Sequence, residues 1–147
     1  MGLFDALNIS ASGLTAERMR MDVTAENLAN AQTTRTAAGG PYRRKEVVLS
    51  QQQGESGFGA QLRTAMGGSG SPGGVEVAGI AEDTSEGKRV YDPGHPDADG
   101  DGYVTMPNVD TVTEMVDLIS ASRAYEANVT VMQTAKQMFS KTLEILR

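Results

Sequence analysis

The sequence predicts an α+β protein: two long helices, one from each end of the chain, flank a small β- and loop-rich insert. Two observations predict it. All five prolines and fifteen of the seventeen glycines lie between Gly39 and Pro107, and these residues interrupt helices by fixing or freeing the backbone. Both breaker-poor flanks carry apolar residues on a seven-residue repeat, the pattern of helices that pair along a seam. The chain therefore divides into an N-terminal helix over 1–31, a central region over 32–108 and a C-terminal helix over 109–147. The helices are expected to pair as an antiparallel, coiled-coil-like stem.

In the first flank Leu7, Leu14, Met21 and Leu28 recur every seven residues, with Phe4, Ala11, Arg18 and Ala25 at the companion positions. Gly13 is the weak point, a place for a bend. Asn30 is suited to close the helix in a left-handed turn.

The last flank, Val109 to Arg147, contains no Gly and no Pro. Its seam positions are Met115, Leu118, Ser122, Tyr125, Val129, Met132, Lys136, Phe139, Leu143 and Leu146, broken only by Ser122 and Lys136. Asn108 or Asp110 can cap its start, and Asp110, Glu114 and Asp117 suit the positive end of the helix dipole. At ~1.5 Å per residue such a helix would run ~58 Å, against a radius of gyration of ~15 Å for a compact chain of this size. A helix that overhangs its own globule leaves its stripe in need of a partner. The stripe residues expected to meet neighbouring subunits are Leu7, Leu14, Met21, Leu28, Met115, Leu118, Val129, Met132, Phe139, Leu143 and Leu146. Ile9, Met19 and Val23 on the first helix, and Val131, Met138 and Ile145 on the last, lie off the seam. Covering them takes three or more helices where one chain supplies two.

The centre reads as short strands: 44–51 around Val47-Val48-Leu49, Val75, Val77 and Ile80 in alternation, Arg89-Val90-Tyr91, and Tyr103-Val104-Thr105. A Gly-, Ser- and Gln-rich loop, 54–74, separates the first two.

Composition narrows the function. Seven aromatics, no Trp and 39% hydrophobic residues give a lean core. A net charge of −6 disfavours nucleic acid, which needs a basic face. The absence of cysteine removes disulfides and thiol chemistry. Residues 1–10 lack the basic start of a cleavable signal, and no apolar run approaches the ~18 residues of a membrane span.

The motifs that could carry chemistry are weak. Asp97, Asp99 and Asp101, followed by Gly102, match the start of a calcium loop, but position 12 is Asn108 and prolines stand where an entering helix belongs. An Asp- and Gly-rich turn is the better reading; a calcium-responsive module is the alternative. Gly68 to Gly73 matches a dinucleotide fingerprint without the flanking strand and helix it needs. His95 is the sole histidine, a turn residue between Pro93 and Pro96. Tyr42-Arg43-Arg44-Lys45 is either a solvated strand edge or an electrostatic contact with an acidic neighbour. No nucleophile–base pair is visible, so no catalytic residue, cofactor or metal is assigned and the chain is read as a non-enzyme. A soluble helical adaptor or export chaperone is the other alternative.

Several passages together resemble the axial proteins of the bacterial flagellum, the rod and hook family. They are Ser12-Gly13-Leu14, Arg20-Met21-Asp22-Val23, Asn27-Leu28-Ala29-Asn30-Ala31, Gly39-Gly40-Pro41-Tyr42-Arg43-Arg44, Val90-Tyr91-Asp92-Pro93-Gly94-His95-Pro96 and the helix from Glu114 to Asn128. Asn27, Asn30, Tyr42, Arg43, Tyr91, Pro93 and His95 carry the match, and the short centre favours the proximal rod over the larger distal rod and hook proteins. The resemblance implies a structural subunit of the periplasmic rod, exported through the flagellar type III system without a cleaved signal. It would polymerise with copies of itself and other rod proteins, the membrane-ring base and export apparatus below and the bushing rings around.

Overall fold

The computed structural model describes residues 3–37, 39–52 and 73–145. Its elements follow in the order α1 (Leu3–Ala29), β1 (Lys45–Gln51), β2 (Val75–Glu82), β3 (Arg89–Tyr91), β4 (Tyr103–Thr105) and α2 (Thr111–Ile145). This is α+β: two terminal helices with two small antiparallel sheets between them, β1 with β2 and β3 with β4.

Local chemistry sets the helix boundaries. Asp110 caps α2, its two carboxylate oxygens accepting from the Val112 N–H at 3.1 Å and the Thr113 hydroxyl at 3.0 Å. Asn108 is taken elsewhere: its side chain accepts from the Arg44 N–H at 2.8 Å and donates to the Ser85 hydroxyl at 3.0 Å. At the end of α1, Asn30 departs from expectation. No non-glycine residue described has a positive φ. The Asn30 side chain instead bonds back to the Glu26 carbonyl at 2.9 Å, and its own carbonyl accepts from Thr33 N–H at 3.0 Å. α1 runs unbroken through Gly13.

The chain forms two compact units, Met1–Arg18 with Leu49–Ala78 and Ser122–Arg147, and Met19–Val48 with Gly79–Ala121. In the first, Ser10, Ala16, Gly74 and Ala135 are buried. There Gly13 faces α2 so closely that a side chain on it would meet Asn128 Nδ2 at 3.1 Å. The Ser12 hydroxyl accepts from Val75 N–H at 3.0 Å and donates to the Ile9 carbonyl at 2.7 Å, fastening the start of β2 to α1. In the second unit, Val23, Tyr42, Val104 and Ala121 form the apolar core around buried Asn27 and Glu114.

The seam buried within the chain is not the stripe of large residues. On α2 the buried Glu114, Ala121 and Ala135 repeat on the heptad one residue before Met115, Ser122 and Lys136. On α1 buried Ala16 and Val23 stand two residues after Leu14 and Met21, so Val23, expected off the seam, is only 5% exposed. Of these buried positions three are alanine, and the larger stripe residues described are at most half-buried. The loop expected over 54–74, with the fingerprint-like Gly68 to Gly73, lies almost wholly outside the described residues.

The centre's second sheet pairs Arg89 with Thr105, Val90 with Val104 and Tyr91 with Tyr103. The turn between its strands is stitched by Asp92 N–H to Gly102 O at 3.0 Å, Gly102 N–H to Asp99 O at 2.8 Å and Asp99 N–H to Tyr103 O at 2.8 Å. Gly102 has φ +77° and packs beneath the Tyr91 ring, a position that a Cβ would strain twice.

Candidate assembly site

Two features of the molecule can do something: a buried polar cluster and an uncovered apolar surface. The cluster centres on Asn27, which sits two residues before the end of α1 and uses its whole amide. Its nitrogen donates to the Lys45 carbonyl at 2.8 Å and to Glu114 Oε2 at 3.0 Å. Its oxygen accepts from the Tyr42 hydroxyl and the Lys45 N–H, both at 2.9 Å. An amide offers two donors and two lone pairs, so none is spare.

Arg44 completes the cluster by donating from Nε to Glu114 Oε1 at 2.6 Å, with Asp117 at 3.6 Å and Glu46 at 4.0 Å beyond. The Glu114 hydrogen bond is the main cause that raises the Arg44 pKa further. Lys45 pairs with Glu26 at 2.6 Å, and that bond is the first cause of its raised pKa. Burial pushes the Tyr42 phenol up. A lone buried carboxylate is strongly unfavourable, and it persists here because it is paired and hydrogen-bonded throughout. The acidic neighbours of Arg44 and Lys45 therefore belong to this chain itself, Glu26, Glu114 and Asp117 on its helices and Glu46 on β1. Arg43, between them, is exposed.

The Asp97–Asp101 turn is engaged locally. Asp97 accepts from the Thr34 hydroxyl at 2.8 Å and lies 3.6 Å from Arg35, while Asp99 lies 3.8 Å from Arg89. Among the described residues no group of three or more His, Asp or Glu is placed to hold a metal ion. The His95 ring accepts from Asp97 N–H through Nδ1 at 3.1 Å, and Tyr91 rests edge-on against Tyr103 at 5.2 Å, with the Arg89 guanidinium over Tyr103 at 5.1 Å. Pro93 is exposed at the start of that turn.

The second feature is the outer surface of the helices. Of the stripe residues, Leu7, Leu14, Met21, Leu28, Leu118, Val129 and Met132 are half-buried, and Met115, Phe139 and Leu143 are exposed; Leu146 lies outside the described residues. From Lys136 to Glu144 every residue of α2 is exposed, including Met138, Phe139 and Leu143. Nearer its start, Val112, Val116 and Ile119 are 63%, 61% and 54% exposed. At 100° per residue they lie roughly opposite buried Glu114 and Ala121. The sequence reading missed this triplet because it followed one seam; a 3.6-residue count at the helix start would have found it. It also missed the Asn27–Glu114 pairing, which no local pattern announces.

A helix-flanked chain with polar staples inside and greasy helix faces outside is built to be joined to others, and the family comparisons define the class. The model described as "Flagella basal body rod protein" matches residues 7–35, and that described as "Flagellar basal body rod FlgEFG protein C-terminal" matches residues 101–145. Full-length relatives narrow it. A "Flagellar basal-body rod protein FlgC" of Bacillus subtilis is 54% identical over 150 residues, covering 99% of each chain. Those of Borreliella burgdorferi and Escherichia coli O6:H1 are each 46% identical, covering at least 98% of either chain. The chain belongs to the FlgC family of flagellar basal-body rod proteins, structural subunits of the basal-body rod.

Proposed function

We propose that this rod subunit polymerises through its terminal helices, 1–31 and 109–147, paired as an antiparallel stem, with 32–108 as a central element contacting adjacent subunits. Its neighbours are other rod proteins and copies of itself in the periplasmic drive shaft, above the membrane-ring base and export apparatus and inside the bushing rings. It reaches them through the flagellar type III route. The residues carrying the contacts are Leu7, Leu14, Met21, Leu28, Met115, Leu118, Val129, Met132, Phe139, Leu143 and Leu146.

The observation that carries this reading is the exposed end of α2. A helical stretch with few buried contacts is marginal in water, and Met138 and Leu143 are 59% and 52% exposed on this one. Ordering a residue costs about 1–2 kcal/mol, and burying a large apolar side chain returns about 1.5–3 kcal/mol. Ordering and polymerisation are thus coupled: the free subunit stays export-competent and the polymer resists torque. The stem pairing is supported in one unit by the Gly13–Asn128 approach and in the other by the Asn27–Glu114 bond.

The test is Phe139→Asp combined with Leu143→Asp in cells. Loss of rod assembly and of swimming is expected. Normal rods and normal swimming would overturn the coupling.

A further inference from the structure

We propose that the Asn27–Tyr42–Arg44–Glu114 cluster is a preformed helix nucleus, from which both terminal helices grow outward. The proposal rests on the reading that the helix ends order on assembly, and it adds where ordering starts. All four residues lie within one compact unit, Met19–Val48 with Gly79–Ala121. Asn27 is in the last turns of α1 and Glu114 in the first turn of α2. Each is 1% exposed, and they are the largest fully buried side chains described.

The physical argument begins with the expense of starting a helix. Fixing the first turn orders several residues for one hydrogen bond, with a nucleation factor of roughly 10⁻³, whereas each later residue adds its own bond. Here the first turn of α2 is held three ways without help from its distal end. Asp110 caps it through Val112 and Thr113. The Glu114 N–H donates to the Asp110 carbonyl at 2.9 Å. The Glu114 carboxylate is bound by Asn27 and Arg44. The same Asn27 anchors α1 near its end, and the Tyr42 hydroxyl and the Lys45 main chain close the ring around it. With both starts fixed, extending α2 toward Ile145 and α1 back toward Leu3 needs propagation alone. Apolar partners on a neighbouring subunit can then zip the ends without a nucleation step. No side-chain N or O atom of the described buried residues is left without a partner, so the cluster needs nothing from assembly to be complete.

Amide hydrogen exchange on the full-length unassembled chain tests this, followed by mass spectrometry or NMR. Val23–Leu28 and Met115–Ala121 are expected to exchange slowest, and 130–143 fast. Glu114→Gln should speed exchange in both proximal segments by roughly tenfold or more, the scale set by losing a charge-assisted hydrogen bond. Leu143→Asp should leave those segments within about twofold of wild type. Proximal segments that exchange as fast as 130–143, or that ignore Glu114→Gln, would overturn the nucleus. Slow exchange reaching Leu143 in the free chain would overturn the coupling reading alone, and Glu114→Gln would then decide the nucleus.

Discussion

Asn27 and Glu114, separated by 87 residues of chain, share a hydrogen bond of 3.0 Å with both side chains 1% exposed. The bond ties the Asn-Leu-Ala-Asn passage on α1 to the first turn of α2, fastening two distant parts of the chain. Removing Asn27 takes that partner from the Tyr42 hydroxyl and the Lys45 main chain at once, and leaves the Glu114 carboxylate to Arg44. Asn27→Ala should therefore lower stability by roughly 3 kcal/mol or more. Asn30→Ala, which loses only exposed or half-buried bonds at the helix end, should lower it by less than about 1 kcal/mol. Urea unfolding of the two variants beside wild type compares them directly.

The triplet Val112, Val116 and Ile119 predicts the opposite separation of effects. These side chains touch water on the face away from the core, so Val116→Asp with Ile119→Asp should change monomer stability by no more than about 0.5 kcal/mol each. Rod assembly should nevertheless suffer, because a charge would be buried in any joint that covers the stripe. Equal loss of stability and assembly would show that the face packs within the chain.

Acid should loosen the start of α2. The Asp110 pKa is lowered, first by the Thr113 hydroxyl and then by the Val112 N–H; that of Asp83 is lowered by the Ser85 backbone and side chain. A depressed carboxyl stabilises the folded chain above its unfolded pKa, and that contribution is lost as pH falls through the folded value. Stability should hold from neutral pH down to the ordinary carboxylate range and decline below it. Asp110→Asn keeps a capping side chain but should flatten that decline, as read from urea midpoints against pH.

Gly102 carries the turn of the second sheet at φ +77°. Gly102→Ala should cost about 1–2 kcal/mol from the left-handed backbone alone, with a further penalty where the new methyl meets the Tyr91 ring. The Tyr91 and Tyr103 ring resonances in NMR should shift together. Unmoved rings would show that the turn does not hold Tyr91 in place.

Much of this architecture was legible beforehand. Glycine and proline placement located both helices to within two residues at each described end, because a breaker acts on its own neighbours. The four strands showed in the same way, as β-branched and aromatic runs bounded by turn residues. Asp110 was one of two residues suited to cap α2, and the choice fell to it because Asn108 is engaged by Arg44 and Ser85 across the chain.

What the sequence by itself determined was therefore local: where helices begin and end, which side chains share a face, and which family the motifs match. Only the tertiary structure decided which face turns inward. A heptad repeat says that Leu14 and Met21 lie together on α1; it does not say that Ala16 and Val23 will be chosen for burial. Close helix packing at Gly13 favours small residues, while buried Glu114 becomes tolerable only once Asn27 and Arg44 arrive from distant parts of the chain. Partners that meet across such separations leave no trace in any window of sequence, since the energy that selects them exists only after the chain has folded.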